Sequence, residues 1–139
     1  MSISDAEMRD LLTTSRTIAV VGHSDKPQRD SYRIARYLRE AGYRVYAVNP
    51  LLETIEGERV YPDLQSLPEP IDIVDVFRRA IFLPEVVEAA IAVRARAVWG
   101  QLGVSHTQAE ARARAAGLIV VSNRCILVEH ERLEIATRG

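Results

Sequence analysis

Residues 17–21 read Thr-Ile-Ala-Val-Val, an unbroken and largely β-branched apolar run. No polar residue alternates within it, and that constrains the chain more than any other feature. A strand with one wet face alternates apolar and polar side chains. A strand that is apolar throughout must be covered on both faces. Such a strand lies inside a parallel sheet with helices packed on either side.

The rest of the chain supplies those helices and strands in alternation. From Ser31 the pattern turns helical: Ile34, Ala35, Leu38 and Ala41 share one stripe, with Arg33, Arg36 and Arg39 mostly away from it. Gly42 ends that helix as its C′ residue. Arg44 to Val48 is a second strand, closed by Asn49-Pro50. Residues 51–70 are irregular and proline-bearing, with a short edge strand near Arg59-Val60. Ile71 to Phe77 is the third main strand and carries Asp72 and Asp75. Pro84 suits the first turn of a helix bearing Val86, Val87, Ala90, Ile91 and Val93. Ala97 to Leu102 is a strand. Thr107 to Ala116 is an alanine-rich helix stopped by Gly117, Leu118 to Ser122 is the last clear strand, and a short helix is expected from Val128. At the start, Ser4 and Glu7 form a capping box for a helix with Met8, Leu11 and Leu12 on one face. The expected fold is α/β: a single Rossmann-like three-layer domain over residues 1–139, with residues 1–16 as a helix packed on it. The sheet is expected to be mainly parallel, with five to six strands.

Composition narrows the partners. The formal net charge of the 139 residues is -1. A general nucleic-acid binder needs a broad basic surface to neutralise phosphates, so that class is disfavoured. The single cysteine, Cys125, permits no intramolecular disulfide and no CxxC metal site, which fits a reducing compartment. The N-terminus, MSISDAEMRDLL, is acidic and amphipathic, without the apolar core of a signal peptide. No window approaches the roughly 18 apolar residues of a membrane span. The chain reads as a cytoplasmic protein that engages neither nucleic acid nor membrane, with no protein partner evident.

Ligands of open α/β sheets bind beyond the carboxyl ends of the strands, where the strand order reverses. The distinctive residues of this chain fall just there: Gly22 to Ser31, Asn49-Pro50, Phe77-Arg78-Arg79, Gln101 to Gly103, and Asn123-Arg124-Cys125. Lys26, Arg29, Arg78 and Arg79 can face that edge, which argues for an anionic ligand. The first loop suits phosphate. Gly22 lets the backbone approach closely, Ser24 and Ser31 offer hydroxyls, and the following helix presents free N–H groups and the positive end of its dipole. Helix capping by Asp30 or Ser31 accounts equally for Ser31, but not for the length of the loop.

Three nucleotide-fold readings fare poorly. A dinucleotide fold expects G-x-G-x-x-G after the first strand and an acid after the second; here there is one glycine, and the second strand ends in Asn49. The G-x-x-x-x-G-K-[ST] of a P-loop is absent. A phosphoreceiver domain would carry acids where Gly22-His23 and Phe77-Arg78 stand. Of the remaining residues, Trp99 reads as core, His106 and His130 as surface, and Cys125 as a packed, inert thiol or a reactive one. His23 reads as either a phosphate donor or a bystander.

The segments IAVVGHSDKPQRDSYRIARYL, GYRVYAVNP, YPDLQSLPEPIDIVDVFRR, VWGQLGV and AGLIVVSNRC together resemble the small bacterial and archaeal CoA-binding proteins. That domain is similar to the CoA-binding domain of the succinyl-CoA ligase α chain. The resemblance runs from about Thr17 to about Glu129. It implies coenzyme A as the cofactor, with Gly22, Ser24, Lys26, Arg29 and the helix start near Ser31 around the pyrophosphate, and His23 within the same loop. Asn49 and Pro50 would border the adenosine. Val76, Phe77 and Arg78 would line the adenine and pantetheine side, and Gln101 and Gly103 would lie near the pantetheine end. The family often has G-L-S where Gly22-His23-Ser24 stands. It usually has D-R-C followed by a lysine, where this chain has Asn123-Arg124-Cys125 and then Leu127. No catalytic residue and no metal is implied. The expected role is non-catalytic or regulatory binding of CoA or an acyl-CoA. A CoA-binding component of an acyl-CoA ligase or transferase with a partner, and a binder of another nucleotide such as NAD(P), remain alternatives.

Overall fold

In the computed structural model, which describes residues 2–138, the apolar run forms β1 (Thr17–Val21), all five residues of which are buried. The chain then alternates α2 (Asp30–Glu40), β2 (Arg44–Val48), β3 (Thr54–Ile55), β4 (Glu58–Tyr61), β5 (Ile73–Val76), α3 (Leu83–Ala92), β6 (Ala97–Gly100), α4 (Thr107–Ala115), β7 (Ile119–Val121) and α5 (Ile126–Arg132). The helix α1 (Asp5–Thr14) precedes them. The seven-stranded sheet has the order β3-β4-β2-β1-β5-β6-β7. Six strands run parallel, and the two-residue β3 pairs antiparallel with β4 at one edge. The expected five to six strands are thus the parallel set, and β3 is too short to leave a periodic signal in the sequence.

Alternation along the strands splits the core in two. Ile18, Val20, Ile73 and Trp99 face α1, α2 and α5, where they meet Met8, Leu12, Leu38 and Ile126. Ala19, Val21, Val74 and Val98 face α3 and α4, against Val86, Val87, Ala109 and Ala113. The helices on both faces are what permit β1 to be apolar throughout. The α1 capping box forms as expected, with Glu7 N donating to Ser4 Oγ at 3.1 Å and Ser4 N to Glu7 Oε1 at 3.2 Å. Met8, Leu11 and Leu12 are wholly buried; each such side chain contributes about 1.5–3 kcal/mol by leaving water. α2 ends where Gly42 takes φ +104, and a Cβ there would lie 2.6 Å from Arg138 Cβ.

Three expectations need correction. His130 is not a surface residue: it is 2% exposed, its Nδ1 bonds the Tyr37 hydroxyl at 2.7 Å, and its ring meets Tyr43 edge-on. Burial pushes its pKa below the ordinary value, with the Arg138 charge adding to this. The final helix starts at Ile126 rather than Val128, because Ile126 N donates to Gln101 Oε1 at 3.1 Å and fixes the first turn. The third main strand is shorter than expected. Asp72 lies outside it, accepting from Arg16 N at 2.7 Å and Thr17 N at 3.2 Å. Asp75, inside it, is wholly buried with neither carboxyl oxygen partnered among the described residues, and burial raises its pKa well above the usual carboxylate range. Among the described residues no helix is long and apolar enough to cross a membrane.

Candidate functional site

The carboxyl ends of β1 and β5 are neighbours, and the helices that follow them, α2 and α3, pack on opposite faces of the sheet. A crevice must open between connections that diverge in this way. It holds a cleft of about 730 Å3, within the range of small-molecule sites.

β1 runs into the cleft through Gly22, whose N–H donates to Val48 O at 2.9 Å. Its φ of +91 is costly for any residue with a Cβ, and an added Cβ would lie 3.3 Å from Arg78 Cγ. One glycine is therefore required where the chain turns, and the rest of the loop is built by side chains. Ser24 N donates to Ser31 Oγ at 2.9 Å, and Lys26 N donates to Ser24 Oγ at 3.0 Å. Both hydroxyls thereby spend a lone pair on the loop and keep their protons to donate. Arg29, at the N-cap of α2, makes no side-chain capping bond, so the first-turn N–H groups of this eleven-residue helix are left to an outside acceptor. Lys26 and Arg29 are exposed on the cleft, and among the described residues neither forms an ion pair. Asp30, also on the cleft, is paired with Arg33.

Of the expected residues, Gly22, Ser24, Lys26, Arg29 and Ser31 line this cleft, together with Asn49, Phe77 and Gln101. Asn49 braces the loop from β2: its Nδ2 donates to His23 O at 3.1 Å and its Oδ1 accepts from Leu51 N at 2.9 Å. Pro50 and Arg78 line a second hollow of about 450 Å3, which shares Gly22, Asn49 and Leu51 with the first but lies on the α3 side. There Arg78 pairs with Glu85 at 2.7 Å and lies over the Phe82 ring at 4.2 Å. Arg79 lines neither hollow.

His23, Val76 and Gly103 also stand outside both hollows, for separate reasons. Val76 is wholly buried in the α3-side core. Gly103 donates its N–H to Asn123 Oδ1 at 2.7 Å, tying the β6 and β7 connections together; an aspartate at position 123 can accept the same bond. His23 is turned inward and is 0% exposed. Its Nδ1 lies 2.8 Å from Ser24 O and its Nε2 lies 3.3 Å from an Arg39 guanidinium nitrogen. Because the carbonyl only accepts and the guanidinium only donates, the ring is neutral with its proton on Nδ1. Burial lowers its pKa, the Ser24 bond opposes that, and the Arg39 charge adds to it.

Leu102 and Cys125, from strand-end segments expected at this edge, line the cleft, whereas Leu51, Leu52, Ile34 and Val104 line it without having been placed there from the sequence. Leu51 and Leu102 are 88% and 69% exposed at its rim. Leu51 and Leu52 directly follow the expected Asn49-Pro50, which is the signal that could have found them. Among the described residues, no three His, Cys, Asp or Glu side chains gather into a group that could hold a metal.

A cleft with free cations, donor hydroxyls and an uncapped helix start is suited to a phosphate-bearing ligand. The Bacillus subtilis (strain 168) protein YneT is 37% identical over 127 residues, covering 91% of this chain and 94% of that one. A protein of solved structure from Pyrococcus horikoshii OT3 superposes with a TM-score of 0.92 at 42% identity, over 95% of this chain and 93% of that one. The acetate--CoA ligase [ADP-forming] I subunit alpha of Pyrococcus furiosus is 32% identical over 85 residues, which is 57% of this chain but only 18% of that subunit. The profile of the CoA binding domain matches residues 16–131, from the turn before β1 to the last turn of α5, and the chain belongs to that family.

Proposed function

We propose that this chain binds coenzyme A, or an acyl-CoA, in the cleft at the carboxyl edge of its sheet, as a binding or regulatory protein of the cytoplasm. The observation that carries the reading is the uncapped start of α2 flanked by unpaired Lys26 and Arg29. A pyrophosphate would take the first-turn N–H groups, the Ser24 and Ser31 hydroxyl protons and both cations, each charge-assisted bond being stronger than a neutral one. Binding without chemistry is favoured because His23, the histidine of the loop, spends both ring nitrogens on structural contacts and does not line the cleft. General acid–base work needs a group within reach of the ligand. The lone cysteine suits the reducing cytoplasm.

Titration calorimetry with CoA, dephospho-CoA, NAD and ATP tests this. CoA is expected to bind most tightly, and the absence of both binding heat and thermal stabilisation at millimolar CoA overturns the reading. NAD binding in preference to CoA favours a different nucleotide; mass spectrometry of small molecules released on denaturing the purified protein identifies it.

The likeness to part of a ligase α subunit supports a second reading, a CoA-binding component that works with a larger subunit. Co-purification of such a subunit, with acyl-CoA turnover only in its presence, favours that reading over the first.

A further inference from the structure

Cys125 lines the same cleft as Lys26 and Arg29, and the residue is half-buried. It follows β7, three strand positions along the sheet from β1. Beside it stands an amide whose donor is taken by no side chain or backbone group among the described residues. Gln101 is 5% exposed and lines the cleft, and its Oε1 is held by Ile126 N, one residue beyond Cys125. Gln101 Nε2 has no hydrogen-bond partner among the described residues. That amide nitrogen is open to solvent at the cleft wall and is available to donate to an acceptor on a ligand.

Distance links the two ends. At ~4.8 Å per strand, the first loop and the end of β7 are ~14 Å apart along the sheet edge. From pyrophosphate oxygen to sulfur, the pantetheine arm of CoA has about twelve bonds; at roughly the advance per bond of an extended peptide it also reaches ~14 Å. We propose that Cys125 is a covalent docking point for this ligand: it takes CoA by thiol–disulfide exchange from a CoA-containing disulfide, with Gln101 Nε2 donating to the final amide carbonyl of the arm. The proposal rests on the CoA-binding reading and goes beyond it.

In the exchange, the Cys125 thiolate attacks the CoA sulfur of the incoming disulfide. A new S–S bond forms between Cys125 Sγ and CoA while the original S–S bond breaks. The electron pair leaves on the departing thiolate, which takes up the proton that Cys125 gave up. One disulfide replaces another, so no oxidant is consumed. A dithiol reductant reverses the step.

The test is to incubate the full chain with CoA disulfide and, in parallel, with bis(2-hydroxyethyl) disulfide, and to follow labelling by intact mass. Binding of the nucleotide end raises the effective concentration of the sulfur at Cys125, so CoA disulfide is expected to label at least about tenfold faster. The same comparison in K26A/R29A is expected to reduce that ratio towards one. Equal rates for the two disulfides in the wild type overturn the proposal, and so does a ratio that K26A/R29A leaves unchanged. Calorimetry of the wild type with reduced CoA separates the failures. If CoA binds but labelling shows no preference, covalent docking alone is wrong; if CoA does not bind, the reading beneath it falls as well.

Discussion

The two edges of the sheet use basic residues in opposite ways. At the amino edge they are spent on the fold. Arg138, from the end of the chain, donates to the carbonyls of Leu12, Thr13 and Ser15 at the end of α1. Arg96 reaches Thr14 Oγ1 at 2.6 Å and Asp10 at 3.3 Å. α1 has no basic residue in its own last turn, so cations from distant sequence complement the negative end of its dipole. At the carboxyl edge, Lys26 and Arg29 line an open cleft without an ion pair among the described residues. The difference teaches that counting arginines at a strand end says little about ligand binding. Arg78 sits at the carboxyl edge too, yet it is engaged by Glu85 and Phe82. What marks a binding cation is that the fold has left it unpaired.

The comparison can be broken at either edge. The largest effect is expected from K26A/R29A, which removes two charge-assisted contacts and should weaken CoA binding by about a hundredfold. Calorimetry measures the loss, and an unchanged melting temperature shows that the fold did not need those cations. Asp72→Ala strikes the amino edge instead. It strands the Arg16 and Thr17 N–H groups and should cost about 2 kcal/mol in denaturant unfolding. CoA affinity should not change; a parallel loss of affinity would mean the two edges are not separate. Gly22→Ala touches both roles, forcing a Cβ into a left-handed position at a cost of about 1 kcal/mol. It should also weaken CoA, because the Cβ would press on Arg78 and the Phe77 carbonyl.

The smallest and most pH-specific effect concerns Asp75, which belongs to neither edge. Its folded pKa is raised by burial, so the fold keeps the proton that the unfolded chain loses above about pH 4. The folded state then binds more protons, and stability falls as pH rises from about 4 towards the raised folded value. Asp75→Asn cannot titrate there, so its unfolding free energy should lose that slope. A variant with the wild-type slope would show that Asp75 ionises normally in the fold.

Much of the fold was legible because one-dimensional periodicity carries it. The unbroken run at 17–21, the stripe Ile34-Ala35-Leu38 and the Ser4–Glu7 box each have a local physical cause, and each appears in the structure as expected. Asp75 in β5 blurred the pattern, because a buried carboxyl contradicts the rule by which strands are read. The site was legible as a set of strand ends but not as a surface. Position in the loop placed Ser24, Lys26 and Arg29 on the cleft, but the same position also suggested His23, which is buried.

The sequence alone determined the alternation of buried strands and amphipathic helices, the single turn that needs glycine after β1, and the cation-bearing loop. All of these depend on neighbours within a few residues, where spacing and backbone sterics decide. Only the tertiary structure decided which polar groups are free. His23 is held neutral by Arg39 from the last turn of α2, His130 is held by Tyr37, and Gln101 is half satisfied by Ile126 and half open to the cleft. Each outcome depends on a donor or acceptor brought from a separate part of the chain. Hydrogen bonding is short-ranged and directional, so it is settled only once packing has fixed who stands next to whom.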